Sequence, residues 1–299
     1  MSRAVLEAGI SESTLKYKLE DLRRAWYRFK KNKLSIAGLS IILFVVFMAI
    51  AAPYISPYPE DAGAVVKFEQ AYQPPSWEHL FGTDEAGRDV LSRVIFGARY
   101  SLTLAFVVLT IAVCIGVPLG LIAGLYKGLI SDIIMRVTDV FLALPSIVLA
   151  LAVTVVLSPS LINVMWAMAF GWWPWYTRLV YGEALSVKQE DFVEAAKLLG
   201  ASKIRIAFKE ILPNCISPII VKITLDMGFV ILAGAGLSFL GLGAQPPTPD
   251  WGTMMSEGRS HLPTIWWPTV FPGLAVCFTV LGFNLLGDGL RDVLDVEVT

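Results

Sequence analysis

The chain has 299 residues, 56% of them hydrophobic and only 16% charged, and its mean hydropathy is +0.65. A soluble domain averages about 25% charged residues. With 24 Lys and Arg against 25 Asp and Glu, the formal charge is -1, so no basic excess exists to hold a phosphate backbone; a soluble globular enzyme, a disordered chain and a nucleic-acid binder are all excluded.

The predicted elements follow in chain order. Leu15, Leu19, Leu22, Trp26 and Phe29 share one face of an amphipathic helix whose other positions are rich in Lys and Arg, a pattern suited to the membrane surface. Six apolar stretches then follow, at 34–52, 102–125, 133–157, 161–177, 219–243 and 264–287. Each approaches the length of about 20 residues that a helix needs to cross a bilayer. The first is no cleavable signal peptide, because it follows more than 30 residues of polar, amphipathic sequence. Six crossings put both termini on one side. Nineteen Lys and Arg fall on that side and five on the other, so the positive-inside rule makes the termini and the 178–218 loop cytoplasmic. Segments 53–99 and 244–263 are then external. The chain divides into a cytoplasmic segment 1–33, a first span with its external loop at 34–99, a transmembrane core at 100–290 that includes the loop 182–217, and a tail at 291–299.

The cytoplasmic loop reads as a helical hairpin. Ser186 and Gln189 have the spacing of a capping box. Phe192, Ala195, Ala196 and Leu199 recur at i, i+3, i+4 and i+7. Gly200 stands where a helix stop favours positive φ. A second short helix, 203–211, is expected to end at Pro213. Cationic and anionic residues elsewhere are few. Asp132, Arg136 and Asp139 share a face at the start of the third stretch, and Asp226 lies about two turns into the fifth. Intramembrane charge is a functional hypothesis by default, and ion pairing is the plainer reading. Ala112, Gly116, Gly120 and Gly124 form a small-residue stripe suited to close helix packing. His79, Asp84, Arg88 and Asp89 read as an external loop held by glycine turns and salt bridges. Trp166, Trp172, Trp173, Trp175, Trp266 and Trp267 read mostly as interfacial belts. Two histidines, three scattered cysteines, no HExxH and no GxxxxGK[ST] leave no catalytic centre, metal site or nucleotide site of the chain's own.

Glu194-Ala195-Ala196-Lys197-Leu198-Leu199-Gly200, with Ile211-Leu212-Pro213-Asn214 downstream, resembles the EAA loop of ABC importer permeases. Three further motifs narrow the resemblance to the second, C-type permease of the dipeptide, oligopeptide and nickel importers. They are His79-Leu80-Phe81-Gly82-Thr83-Asp84-Glu85-Ala86-Gly87-Arg88-Asp89, Gly243-Ala244-Gln245-Pro246-Pro247-Thr248-Pro249-Asp250-Trp251-Gly252 and Asn284-Leu285-Leu286-Gly287-Asp288-Gly289. One departure is Glu210, where the general pattern places Ile two residues before Leu-Pro.

The resemblance implies an all-α polytopic membrane protein of six transmembrane helices with a cytoplasmic coupling-helix loop, the type I ABC importer permease fold, in the cytoplasmic (inner) membrane. Its expected partners are a homologous second permease, two ATPase subunits that bind ATP and Mg, an extracytoplasmic solute-binding protein and membrane lipid, with no nucleic acid. Phe192, Glu194, Ala195, Ala196, Leu199, Gly200, Ala201 and Pro213 are expected to couple to the ATPase. Peptides lead among expected substrates, ahead of nickel or another small solute. A secondary transporter would need inverted repeats and midplane ion ligands, which the sequence does not present.

Overall fold

The computed structural model describes residue 23 and residues 26–294 of the chain. The expected surface helix therefore falls largely outside the described residues. Of its members, Phe29 is buried and stacks on Trp26, their ring centroids 5.7 Å apart.

Nine helices carry the fold among the described residues: α1 Lys33–Ile55, α2 Val90–Leu125, α3 Leu129–Leu142, α4 Ser146–Val156, α5 Leu161–Val187, α6 Asp191–Leu198, α7 Lys203–Phe239, α8 Trp251–Gly258 and α9 Trp267–Leu294. No strand forms among the described residues, and a single isolated bridge pairs Thr83 with Asp89. Side chains set the helix starts. Asn32 caps α1 by accepting from the Leu34 and Ser35 amides, and Asp89 caps α2 by accepting from Ser92. The 36 residues of α2 span about 54 Å, well beyond a hydrocarbon core of about 30 Å, so α2 links the two ends of the molecule.

Four helices, α1, α2, α7 and α9, are long and apolar enough to cross a membrane, and the bent pair α3–α4 makes a fifth span when counted as one. The remaining expected stretch, 161–177, forms most of the 27-residue α5. Four Trp, Pro174, Tyr176 and Arg178 lower its hydropathy without shortening it. The expected continuous helix over 133–157 is instead broken, and its halves meet at 82°. Pro145 is the cause, since it lacks an amide donor and forces the preceding Leu144 away from helical geometry.

Two cores hold the bundle. The larger one joins α1, α2, α5, α7 and α9 around residues such as Val108, Met168, Tyr176 and Ile231. The smaller one gathers Leu121, Val180, Ala184, Val193, Ile206, Ile211, Cys215 and Ile219 beneath the 188–202 loop. The packing of α2 on α5 is the most extensive in the molecule. It is made by the small-residue stripe. A β-carbon at Gly116 would stand 2.5 Å from the Trp173 carbonyl oxygen, one at Gly120 2.7 Å from that of Thr177, and one at Gly124 2.6 Å from Ala184 Cβ. Ala112 is fully buried beside them. The stripe is thus filled from within the chain.

Candidate functional site

The 188–202 loop begins where α5 ends. The expected capping box does not form, because Ser186 lies inside the last turn of α5 and its carbonyl accepts from Gln189. The N-cap of α6 is Glu190, which makes no side-chain cap. At the other end, the Gly200 amide donates to Lys197 and the Ala201 amide donates to Ala196, with φ at Gly200 of +79°. That is a Schellman stop, and positive φ is the conformation that favours glycine. Ser202 then caps the next turn by accepting from Arg205.

Pro213 does not end a separate helix, as expected from sequence. The chain runs unbroken from Lys203 to Phe239, through a π-helical segment at Ile206–Ile211. Pro213 follows directly after this π-helical segment and does not interrupt the helix. The loop is therefore the direct extension of a membrane-crossing helix.

Val193 fixes the orientation of α6. It is fully buried in the smaller core. Phe192, Glu194, Ala195, Leu198, Leu199 and Gly200 are exposed, and Ala196 and Ala201 are half-buried. Leu198 and Leu199 are 85% and 88% exposed, and Ile204 and Phe208 beyond the glycine are also bare. Leu198 and Leu199 are thus adjacent large apolar side chains left bare on the loop. Sequence periodicity found Leu199 but missed Val193, which sits between the stripe positions, and Leu198.

A lysine ties this loop to α2. Lys188 Nζ donates to the carbonyls of Gly124 and Leu125, at 2.8 Å each, and so satisfies the last free acceptors of α2. Burial, then neighbouring Lys127, Lys197 and Lys203, holds its pKa below the ordinary lysine value. Lys203 in turn lies over the Tyr126 ring, 4.6 Å from its centroid. No periodicity signals Lys188; only the folded loop reveals its role.

The opposite end is built differently. Asp84 pairs with Arg88 at 2.8 Å and with Arg93 at 3.3 Å, and both arginines reach Glu257 on α8, at 3.8 and 3.6 Å. His79 Nδ1 meets Asp89 at 3.0 Å. Asp61 accepts from the Asp89 amide and from Lys67, and the Lys67 hydrogen bond raises that lysine's pKa. Burial raises the pKa of Glu257 and Asp250 and pushes Tyr72 up to about 12. Two expected belt tryptophans prove otherwise. Trp267 is buried and donates to the Thr83 carbonyl, and Trp173 is buried in the larger core.

The expected ion-pair residues separate. Asp139 pairs with Arg178 of α5, and Asp226 pairs with Lys222 at 3.2 Å. Asp132 and Arg136 form no ion pair among the described residues. Arg178 was invisible to a search along one helix, because its partner lies on another.

Residues 116–299 match the family described as "Binding-protein-dependent transport system inner membrane component", and residues 22–75 match "N-terminal TM domain of oligopeptide transport permease C". The chain belongs to the family of binding-protein-dependent transport system inner membrane components. It is 46% identical over 284 residues to the dipeptide transport system permease protein DppC of Escherichia coli (strain K12), covering 93% of each chain. It is 42% identical to the di/tripeptide transport system permease protein DppC of Pseudomonas aeruginosa (strain UCBPP-PA14), over 99% of this chain and 98% of that one. It is 43% identical to the glutathione transport system permease protein GsiD of Escherichia coli O6:K15:H31 (strain 536 / UPEC), over 91% and 89%. Among solved structures, the inward-facing MetNI methionine ABC transporter aligns with a TM-score of 0.56 at 18% identity, over 67% of this chain and 96% of that one. That likeness establishes the type I ABC importer permease fold. The protein is thus a multi-pass transport permease.

Proposed function

We propose that this permease imports small peptides as one half of a heterodimer with a homologous second permease. The permease pair sits on two ATPase subunits, one of which docks on the 188–202 loop, and an extracytoplasmic solute-binding protein delivers the substrate at the Asp61–Glu257 end. ATP and Mg belong to the ATPase subunits, and this chain does no covalent chemistry of its own. The N-terminus, the loop and the C-terminus face the cytoplasm of a cell bounded by this inner membrane. Segment 34–99 supplies the first span and an external cover, and 100–290 is the transporting core.

The observation that carries this reading is the bare Phe192, Leu198 and Leu199 surface mounted on helices that cross the bundle. Such a surface moves with its helices. Closing the ATPase subunits would pull α6 and thereby rock α2, α5 and α7 between inward-open and outward-open arrangements. The peptide assignment draws on the dipeptide and glutathione permeases this chain resembles. The test is to purify the assembled complex and ask which ligand-loaded binding protein stimulates its ATPase. Dialanine is the expected stimulant; stimulation by nickel alone would replace peptide with metal as the cargo. An ATPase indifferent to any loaded binding protein would remove the importer mechanism.

A further inference from the structure

Most large apolar side chains left bare on this chain lie on its long helices, where lipid or a partner helix covers them. Trp77 does not. It is 98% exposed and belongs to the segment between α1 and α2. The backbone around it is fixed. Residues 72–76 double back along 79–84: the Tyr72 amide donates to the Asp84 carbonyl, the Thr83 amide to the Gln73 carbonyl, and the Ser76 amide to the His79 carbonyl at 2.8 Å. The His79 amide donates in return to Ser76 Oγ. Trp77 and Glu78 are therefore the two residues at the tip of a reversal. Its base is clamped as well. The Tyr58 hydroxyl donates to the Glu78 carbonyl, and the Tyr58 ring packs on His79 with centroids 4.9 Å apart. His79 is itself buried against Asp89, the N-cap of α2. An indole held out on so fixed a backbone loses little freedom when something covers it.

A bare tryptophan in a membrane protein is first read as an interfacial anchor. The height of the tip argues against that role. The uncharged stretch of α2 begins at Leu102, and Arg99, one turn before it, is exposed, which sets the external edge of the hydrocarbon near that point. Asp89 precedes Leu102 by 13 positions, a rise of about 20 Å along a helix. The headgroup layer is only about 5–8 Å deep on each side. Because His79 meets Asp89, the base of the tip stands beyond the headgroups.

The charge of this segment narrows the partner. Glu60, Glu69, Glu78 and Glu85 are exposed. The two cations of residues 53–89, Lys67 and Arg88, are held by Asp61 and Asp84. The outward surface is therefore acidic, with an aromatic ring at its tip and exposed Leu80 on the far side of His79. Tryptophan is among the residues that most often carry the energy of a protein interface, and opposite charge around it speeds and orients encounter. We propose that Trp77 is the anchor by which the solute-binding protein docks, entering an apolar pocket on a lobe whose rim is basic; this inference rests on the importer reading. The anchor stands on the N-cap of α2, so docking presses directly on the helix whose other end Lys188 ties to the 188–202 loop.

The test uses the assembled transporter in nanodiscs, with its dialanine-loaded binding protein added and ATPase as the readout. Trp77→Ala is expected to raise the binding-protein concentration for half-maximal stimulation about tenfold or more, with subunit co-purification, basal ATPase and the rate at saturation unchanged. Trp77→Phe keeps an aromatic ring and should stay near wild type. Glu78→Lys should raise the same concentration at low salt and lose most of that effect at about 0.5 M salt, where exposed charges are screened. A bimane label on Trp77→Cys, in a chain whose Cys114, Cys215 and Cys277 are serine, should shift to the blue only when the binding protein is added. An unchanged half-maximal concentration for Trp77→Ala would overturn the proposal. So would quenching of the label by headgroup spin-labelled lipid, which makes Trp77 a belt residue, or a shift complete on pairing with the second permease alone. If the wild-type ATPase answers to no loaded binding protein, the importer reading falls and takes this inference with it. If wild type answers and Trp77→Ala answers at the same concentration, only the anchor falls.

Discussion

The two ends of α2 are held by opposite means. At Val90 the helix start is buried under Asp61, Asp84, Arg88, Asp89, Arg93 and Glu257, six charged residues cross-linked across four chain segments. At Leu125 the helix end is held by Lys188, and the surface around it is bare leucine and phenylalanine. A lattice of buried charges with fixed partners gives a rigid shape. An apolar patch with a single polar tether gives a surface that gains by being covered and can move as a lever.

Perturbations should separate along the same line. The largest loss is expected from Arg93→Met. It strips a fully buried guanidinium from Asp84 and Glu257 and leaves Arg88 as the one cation facing both acids; removing one partner from a buried ion pair costs about 3–5 kcal/mol. Thermal unfolding of the detergent-solubilised complex should fall sharply, with assembly lost. If Arg93→Met melts like wild type, the rigid-end description fails. Next is Gly120→Val, which drives a branched side chain into the Thr177 backbone and Val180. Overpacking of this kind costs about 1–3 kcal/mol, and the expected signature is destabilisation without any change in which subunits bind.

Smaller and more local effects belong to the loop end. Lys188→Met removes both donors from the last carbonyls of α2, a loss of about 1.5–3 kcal/mol for a charged donor. Its expected phenotype is uncoupling: ATP hydrolysed per peptide imported should rise, because α6 no longer moves with α2. An unchanged ratio would show that the tether transmits nothing. Gly200→Val forces a β-branched residue to φ +79°, where each such residue costs about 1–2 kcal/mol. It should weaken co-purification of the ATPase subunits while the rest of the bundle melts as before.

Much of this was legible in the sequence, for reasons that are local. Apolar length found the spans, and the isolated Gly200 announced the helix stop that the structure forms. The small-residue stripe at 112–124 was visible too, because a period of four survives without any knowledge of the partner helix. What escaped depends on distance in sequence. Arg93 and Glu257 are separated by more than 160 positions, Asp139 and Arg178 by 39, and Lys188 and Leu125 by 63, so no window along one helix connects them. The break at Pro145 was missed for a different reason: hydropathy averages over a proline, whereas backbone geometry does not. The capping box at Ser186 matched a pattern whose residues were already inside α5, where tertiary packing had extended the helix past its local signal.

The most direct measurement pairs stability with subunit capture for the chain carrying Leu198→Ser and Leu199→Ser together. Both side chains are more than 80% exposed, so surface substitution should alter folding by no more than about 0.5 kcal/mol. The expected result is an unfolding temperature equal to wild type, together with loss of the ATPase subunits on purification and of uptake in proteoliposomes. A double variant that retains both ATPase subunits and transports at the wild-type rate would contradict the assignment of the 188–202 loop as the coupling surface.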